Sequence, residues 1–156
     1  MNVVAMWGLL PRDDELCYLL RHLCPPDLEV FVAPLDYQPT RRRSFQPDVL
    51  IARQNSVGEK CLEKPLVLAV EVLSPSSRSI DLLLKREKYG QSGVEHYWIV
   101  DPDEPSIVAF ELRGEVYEQV AAAKGDEVAE LTAPYPVRVR PSDLVNGTTR
   151  PDAAAD

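Results

Sequence analysis

The chain has few of the softer metal ligands: three cysteines and two histidines among 156 residues. Cys17, Cys24 and Cys61 form no CxxC, and only His22 and His96 could complete a site with them, so the spacing of an ordinary structural zinc centre is missing. An odd cysteine count with no secretory leader fits a reducing cytoplasm, where the three serve as small apolar side chains. Long apolar runs are also lacking. The N-terminal MNVVAMWGLL has no positive flank and no small-residue cleavage site, and it is too short to span a bilayer. It reads as part of the fold, with no membrane segment. Basic charge is scarce as well: 17 Lys and Arg face 25 Asp and Glu, a formal net charge of −8. Such an excess of acid repels phosphate at long range and excludes a general nucleic-acid coat protein, so any nucleic-acid contact needs a local basic patch or a bound cation. The best patch is Arg41-Arg42-Arg43, in a polar connection over 36–44, which reads either as a solvated surface or as a phosphate attractor.

What is present is a soluble globular composition, 45% hydrophobic and 27% charged. The length suits one domain, expected over residues 1–145, with 146–156 a disordered tail that has nothing to pack. Asp13-Asp14-Glu15 opens a helix whose Leu16, Leu19, Leu20 and Leu23 recur at helical spacing until Pro25-Pro26 ends it. Strands are expected over 28–34 and 46–52, the second entered through Pro47 and so beginning at Asp48. A polar loop over 54–64 follows. Beyond Pro102, segments 106–112 and 115–121 flank Arg113-Gly114 as a hairpin, and 128–131 and 137–139 are further strands.

The informative stretch lies between. Leu66-Val67-Leu68-Ala69-Val70 reads as a strand buried on both faces, and it runs directly into Glu71. Burying a carboxylate costs several kcal/mol unless a cation or a proton neutralises it. Ser79 or Asp81 then caps a helix that reaches about Gln91 and is stopped by Gly93. Asp81, Lys85 and Tyr89 share one face of that helix, at i, i+4 and i+8. A strand over 96–101 completes a strand, helix, strand unit of the length a right-handed crossover needs.

Asp48, Glu71 and Lys85 form a constellation with two readings. Two carboxylates on neighbouring strands bind a hard cation such as magnesium through oxygen, with a lysine beside them to orient water or neutralise charge. Alternatively Asp48 is a turn residue, Glu71 pairs with an arginine and Lys85 is solvated on its helix.

Pro47-Asp48, Glu71-Val72-Leu73-Ser74-Pro75-Ser76-Ser77, Asp81 with Lys85 and Tyr89, and the run from Gly93 to Pro102 together resemble the Uma-type restriction endonuclease family. That family lies in the PD-(D/E)xK nuclease superfamily, and the likeness spans roughly residues 14–145. It implies an α/β (α+β) fold: a restriction-endonuclease-like mixed central β-sheet flanked by helices, with an additional C-terminal hairpin region. It also implies a Mg²⁺ site, which Mn²⁺ can substitute, and hydrolysis of DNA. By this resemblance Asp48 and Glu71 are metal ligands and Asp48, Glu71 and Lys85 the catalytic residues. Leu73 stands where the superfamily usually has lysine, and Lys85 on the following helix takes its place. Tyr89 is expected to pack. A third acid has no secure match, with Glu15 and Asp36 the candidates. A silent nuclease fold used as a protein-binding module, or a metal-dependent nucleotide phosphohydrolase, are the alternatives. Tyr97 and Trp98 are strand neighbours that face opposite sides, so one of them is expected on a partner surface. Cutting both DNA strands takes two sites, and a two-fold homodimer is expected.

Overall fold

The structure is a computed structural model, and it describes residues 11–32, 37–56, 65–73 and 80–146. Six strands form the central sheet: β1 (Leu28–Val32), β4 (Val49–Arg53), β5 (Leu68–Val72), β6 (His96–Asp101), β7 (Ser106–Arg113) and β8 (Val116–Lys124), in that order across it. β5 and β6 run parallel and every other neighbouring pair is antiparallel, which makes the sheet mixed. The parallel pair is joined through α2 (Ile80–Gln91), because parallel neighbours need a crossover rather than a tight turn. Gly93, at φ 78°, ends that helix in the left-handed region, and Val94 N–H closes on the Tyr89 carbonyl at 3.1 Å.

Each face of the sheet has its own core. On one face α1 (Pro11–Leu23) lays Leu16, Cys17 and Leu20 against Val30, Val49, Val70 and Trp98. The same core takes in a two-stranded sheet of β9 (Ala129–Leu131) with β10 (Val137–Val139), and Leu144 of α3 (Pro141–Asn146). On the other face α2 contributes Tyr89, packed with Leu50, Ala69, Tyr97, Phe110 and Tyr117. Strand alternation divides the residues: Val49 and Ile51 go to the first core, Leu50 and Ala52 to the second.

That two-sided cover overturns the expectation for Tyr97 and Trp98. They do face opposite sides, yet both are buried, Tyr97 in the α2 core and Trp98 in the α1 core. A large aromatic gains roughly 2–3 kcal/mol from such burial, so neither is spared for a partner. The homodimer then rests on the need for two sites alone. The segment around Arg41-Arg42-Arg43 also departs from a plain polar connection. β2 (Tyr37–Thr40) and β3 (Arg43–Phe45) pair as a short hairpin, pinned by Tyr37, whose hydroxyl donates to the Ser92 carbonyl at 3.2 Å. The reason is aromatic: Tyr37 and Phe45 lie across the hairpin from each other, and the Phe45 ring sits 5.0 Å from that of Tyr89. The expected hairpin around Arg113-Gly114 is present as β7 and β8, turning at Gly114 (φ 66°), and it forms one edge of the central sheet. Ser79 and Cys61 fall outside the described residues, as does the tail beyond Asn146; Cys17 and Cys24 are not in a disulfide. Among the described residues no helix is long and apolar enough to cross a membrane.

Candidate active site

Asp48 and Glu71 meet because of register. Val49 of β4 lies opposite Val70 of β5, so the residue before the one and the residue after the other stand side by side on the α2 face of the sheet. The Asp48 N–H donates to the Val70 carbonyl at 3.1 Å, and the Val72 N–H donates to Asp48 Oδ2 at 2.7 Å. The Asp48 carboxyl is within hydrogen-bonding reach of that of Glu71. Glu71 is buried at 5% exposure. Its two oxygens are held separately from α2: Lys85 Nζ donates to Oε2 at 3.3 Å and Tyr89 Oη donates to Oε1 at 2.6 Å. Lys85 and Tyr89 lie one helical turn apart, which is why both arrive at one carboxylate. The described partners of Glu71 are therefore a lysine and a tyrosine, not an arginine, and Lys85 is tied to Glu71 rather than simply solvated. The side chain of Asp81 lies outside the described residues.

Electrostatics follow from this burial. Desolvation pushes the Asp48 carboxyl above the usual carboxylate range, against the pull of the Val72 N–H and Lys85. Desolvation likewise raises Glu71, with Asp48 adding to the rise and Tyr89 and Lys85 opposing it. Burial and the neighbouring Glu71 push Tyr89 far up, so its hydroxyl is a permanent donor. Two acids short of positive charge, with one ammonium between them, suit a further cation.

The donor set fits magnesium. It is all oxygen, and Mg²⁺ is ordinarily held by one or two carboxylates plus waters and substrate phosphate. A third acidic ligand is not part of this site among the described residues, where no group of three or more His, Cys, Asp and Glu is placed to hold an ion. Glu15 is buried on α1, which packs on the opposite face of the sheet, and Asp36 lies outside the described residues.

Tyr89 was legible as a packing residue, and it does pack, with its ring 5.4 Å from that of Tyr97. Its hydrogen bond to Glu71 went unread, although the i+4 step from Lys85 was the available signal. Tyr89→Phe is expected to lower the melting temperature in chelator by roughly 3–6 °C near neutral pH, for loss of about 1.5 kcal/mol or more in a hydrogen bond to a charged group. Because removing the donor raises Glu71 further, the penalty grows as pH rises through its folded range and shrinks below it. Thermal melts at about pH 5 and about pH 8 check this. If packing alone mattered, phenylalanine would melt like the native protein at both.

A mixed sheet flanked by helices, with paired carboxylates at the start of one strand and the end of its neighbour, defines a protein of the nuclease-like α/β class. The crystal structure of "a putative nuclease belonging to DUF820" from Anabaena variabilis has this fold, with a TM-score of 0.66 and 16% identity over 87% of this chain and 79% of that one. Residues 12–142 match the Uma2 family, described as "Putative restriction endonuclease", and the chain belongs to that family. Among curated proteins none matches.

Proposed function

We propose that this protein is a Mg²⁺-dependent endonuclease that hydrolyses DNA phosphodiester bonds. The observation that carries the reading is the convergence of Asp48, Glu71 and Lys85, from two strands and a helix, at one partly open spot on a nuclease-like fold. Asp48 and Glu71 hold the metal. Bound Mg²⁺ supplies counter-charge to the phosphodiester oxygens and acidifies water. The chain's own residues do the rest. The Val72 N–H fixes Asp48, and Tyr89 fixes Glu71 by Oε1, so neither carboxylate has to be ordered when substrate arrives. Lys85, a third exposed, places its ammonium beside both carboxylates, where it orients the attacking water or balances charge growing on phosphate. Leu73, just past β5, leaves the usual lysine position uncharged, and α2 brings that ammonium instead.

The test is incubation of the purified protein with supercoiled, linear and single-stranded DNA in Mg²⁺, Mn²⁺ or chelator, with Glu71→Gln alongside as the control for contaminating nuclease. Cleavage that needs the metal and disappears in Glu71→Gln is the expected result. Cleavage of free nucleotides with DNA untouched, or equal cleavage by both proteins, would overturn it.

A further inference from the structure

We infer that the β2–β3 hairpin is the element that grips the DNA backbone beside the site, with Arg41 and Arg42 at its tip contacting phosphates. The inference rests on the nuclease reading above and adds where substrate is held. Three observations support it.

The first is position. From Arg42 the chain runs through β3 and Gln46-Pro47 straight into Asp48, six residues on. Even fully extended, six residues reach only about 20 Å, roughly half a helical turn of duplex, so the arginines cannot be far from the scissile phosphate.

The second is attachment. The hairpin is not a free loop. Tyr37 is fully buried at its base, its hydroxyl bonded to Ser92, and Phe45 packs on the Tyr89 ring, whose hydroxyl holds Glu71. The basic tip and the carboxylates therefore belong to one packed unit.

The third is charge. This chain carries a net charge of −8, and most of its described arginines have a partner within the chain, several of them on the surface. Arg53 pairs with Glu95, Arg113 with Glu111 and Glu118, Arg138 with Glu130, and Arg140 with Asp143. Arg86 lies over the Phe110 ring at 4.3 Å and donates to the Tyr117 carbonyl. Arg41 and Arg42 are exposed and form no ion pair among the described residues, while Arg42 N–H donates to Thr40 Oγ1 in a local turn. Adjacent arginines that form no ion pair among the described residues, on an anchored turn in an otherwise acidic protein, are complementary to a polyphosphate.

The experiment measures binding apart from cleavage. Affinity of the full chain for a short labelled duplex is followed by fluorescence anisotropy in EDTA, from about 50 to 200 mM KCl, for the native protein, Arg41→Ser/Arg42→Ser and Arg41→Lys/Arg42→Lys. Losing two phosphate contacts should reduce the salt slope by about 2, so that the native protein loses about tenfold more affinity than the serine variant across that range. The lysine variant should keep the native slope, and all three should melt alike, since both side chains are exposed. An unchanged slope in the serine variant overturns the inference even if the native protein cleaves DNA, and leaves the nuclease reading standing. A changed slope with no metal-dependent cleavage supports the hairpin and removes the nuclease reading instead. A slope change on anionic phospholipid vesicles, with none on duplex, assigns the arginines to a membrane and overturns it.

Discussion

Asp48→Asn is expected to abolish metal-dependent cleavage, by roughly a thousandfold or more, and at the same time to raise the melting temperature in chelator. The loss follows from the several kcal/mol of charge stabilisation that an active-site cation supplies, at about 1.4 kcal/mol per tenfold in rate. The gain follows from the site. Asp48 sits above the usual carboxylate range because burial outweighs the help of the Val72 N–H, Lys85 and a hydrogen bond shared with Glu71, and its charge in turn raises Glu71, so that charge is a net cost to the metal-free fold. Asparagine removes that charge, and its carbonyl oxygen can still accept the 2.7 Å bond from Val72 N–H. A gain of about 1 kcal/mol corresponds to about 2–4 °C at this chain length.

Metal should reverse the order. With Mg²⁺ at about ten times its dissociation constant the native protein gains about 1.4 kcal/mol, and the variant, short of one ligand, gains little. Melting both proteins with and without metal separates this from a purely structural Asp48. A structural carboxylate, satisfied by backbone, would cost stability when replaced, and its replacement would leave the metal response unchanged.

The part of the fold that was legible in sequence is the part whose causes are local. The run 66–72 is apolar enough to be a buried strand, Gly93 supplies the positive φ that ends α2, and 96–101 is β-prone throughout, so β5, α2 and β6 could be read without their surroundings. Glu71 stood out because a carboxylate in such a run demands a partner, and helical spacing aimed Lys85 from the next element. The features that were missed depend on contacts between distant segments. Tyr37 and Phe45 look like scattered aromatics in a polar stretch until Tyr89 and Ser92 are brought beneath them. Tyr97 and Trp98 seemed too many for one small core, because nothing in either residue says that α1 and the β9–β10 sheet close one face while α2 closes the other. Tyr89 was half legible, since its face was known and its hydrogen-bond partner was not.

Removing the ammonium should be the most damaging single change to the metal-free protein at this site. Lys85→Met keeps the length and apolar stem of the side chain but leaves Glu71 buried with Tyr89 as its described donor. Breaking a buried ion pair by one partner costs roughly 3–5 kcal/mol, and here less, about 2 kcal/mol, because Lys85 is a third exposed and water can reach it. The pH dependence has a definite sign. Glu71 is already raised in the folded state, so the stability it contributes is complete below its unfolded value and is lost as pH rises through the folded one. Without Lys85 the folded value rises further. The variant should therefore melt close to the native protein at about pH 4 and fall progressively behind it toward about pH 8, while cleavage is lost throughout. The double variant Lys85→Met/Glu71→Gln decides the cause. Glutamine can still accept the Tyr89 bond through its carbonyl, and with no charge left to neutralise it should recover most of the loss at about pH 8, a coupling of about 1–2 kcal/mol in the double-mutant cycle. A lysine that was merely solvated on its helix would behave otherwise. Its replacement would shift stability by under about 0.5 kcal/mol with no trend in pH, and the second substitution would recover nothing.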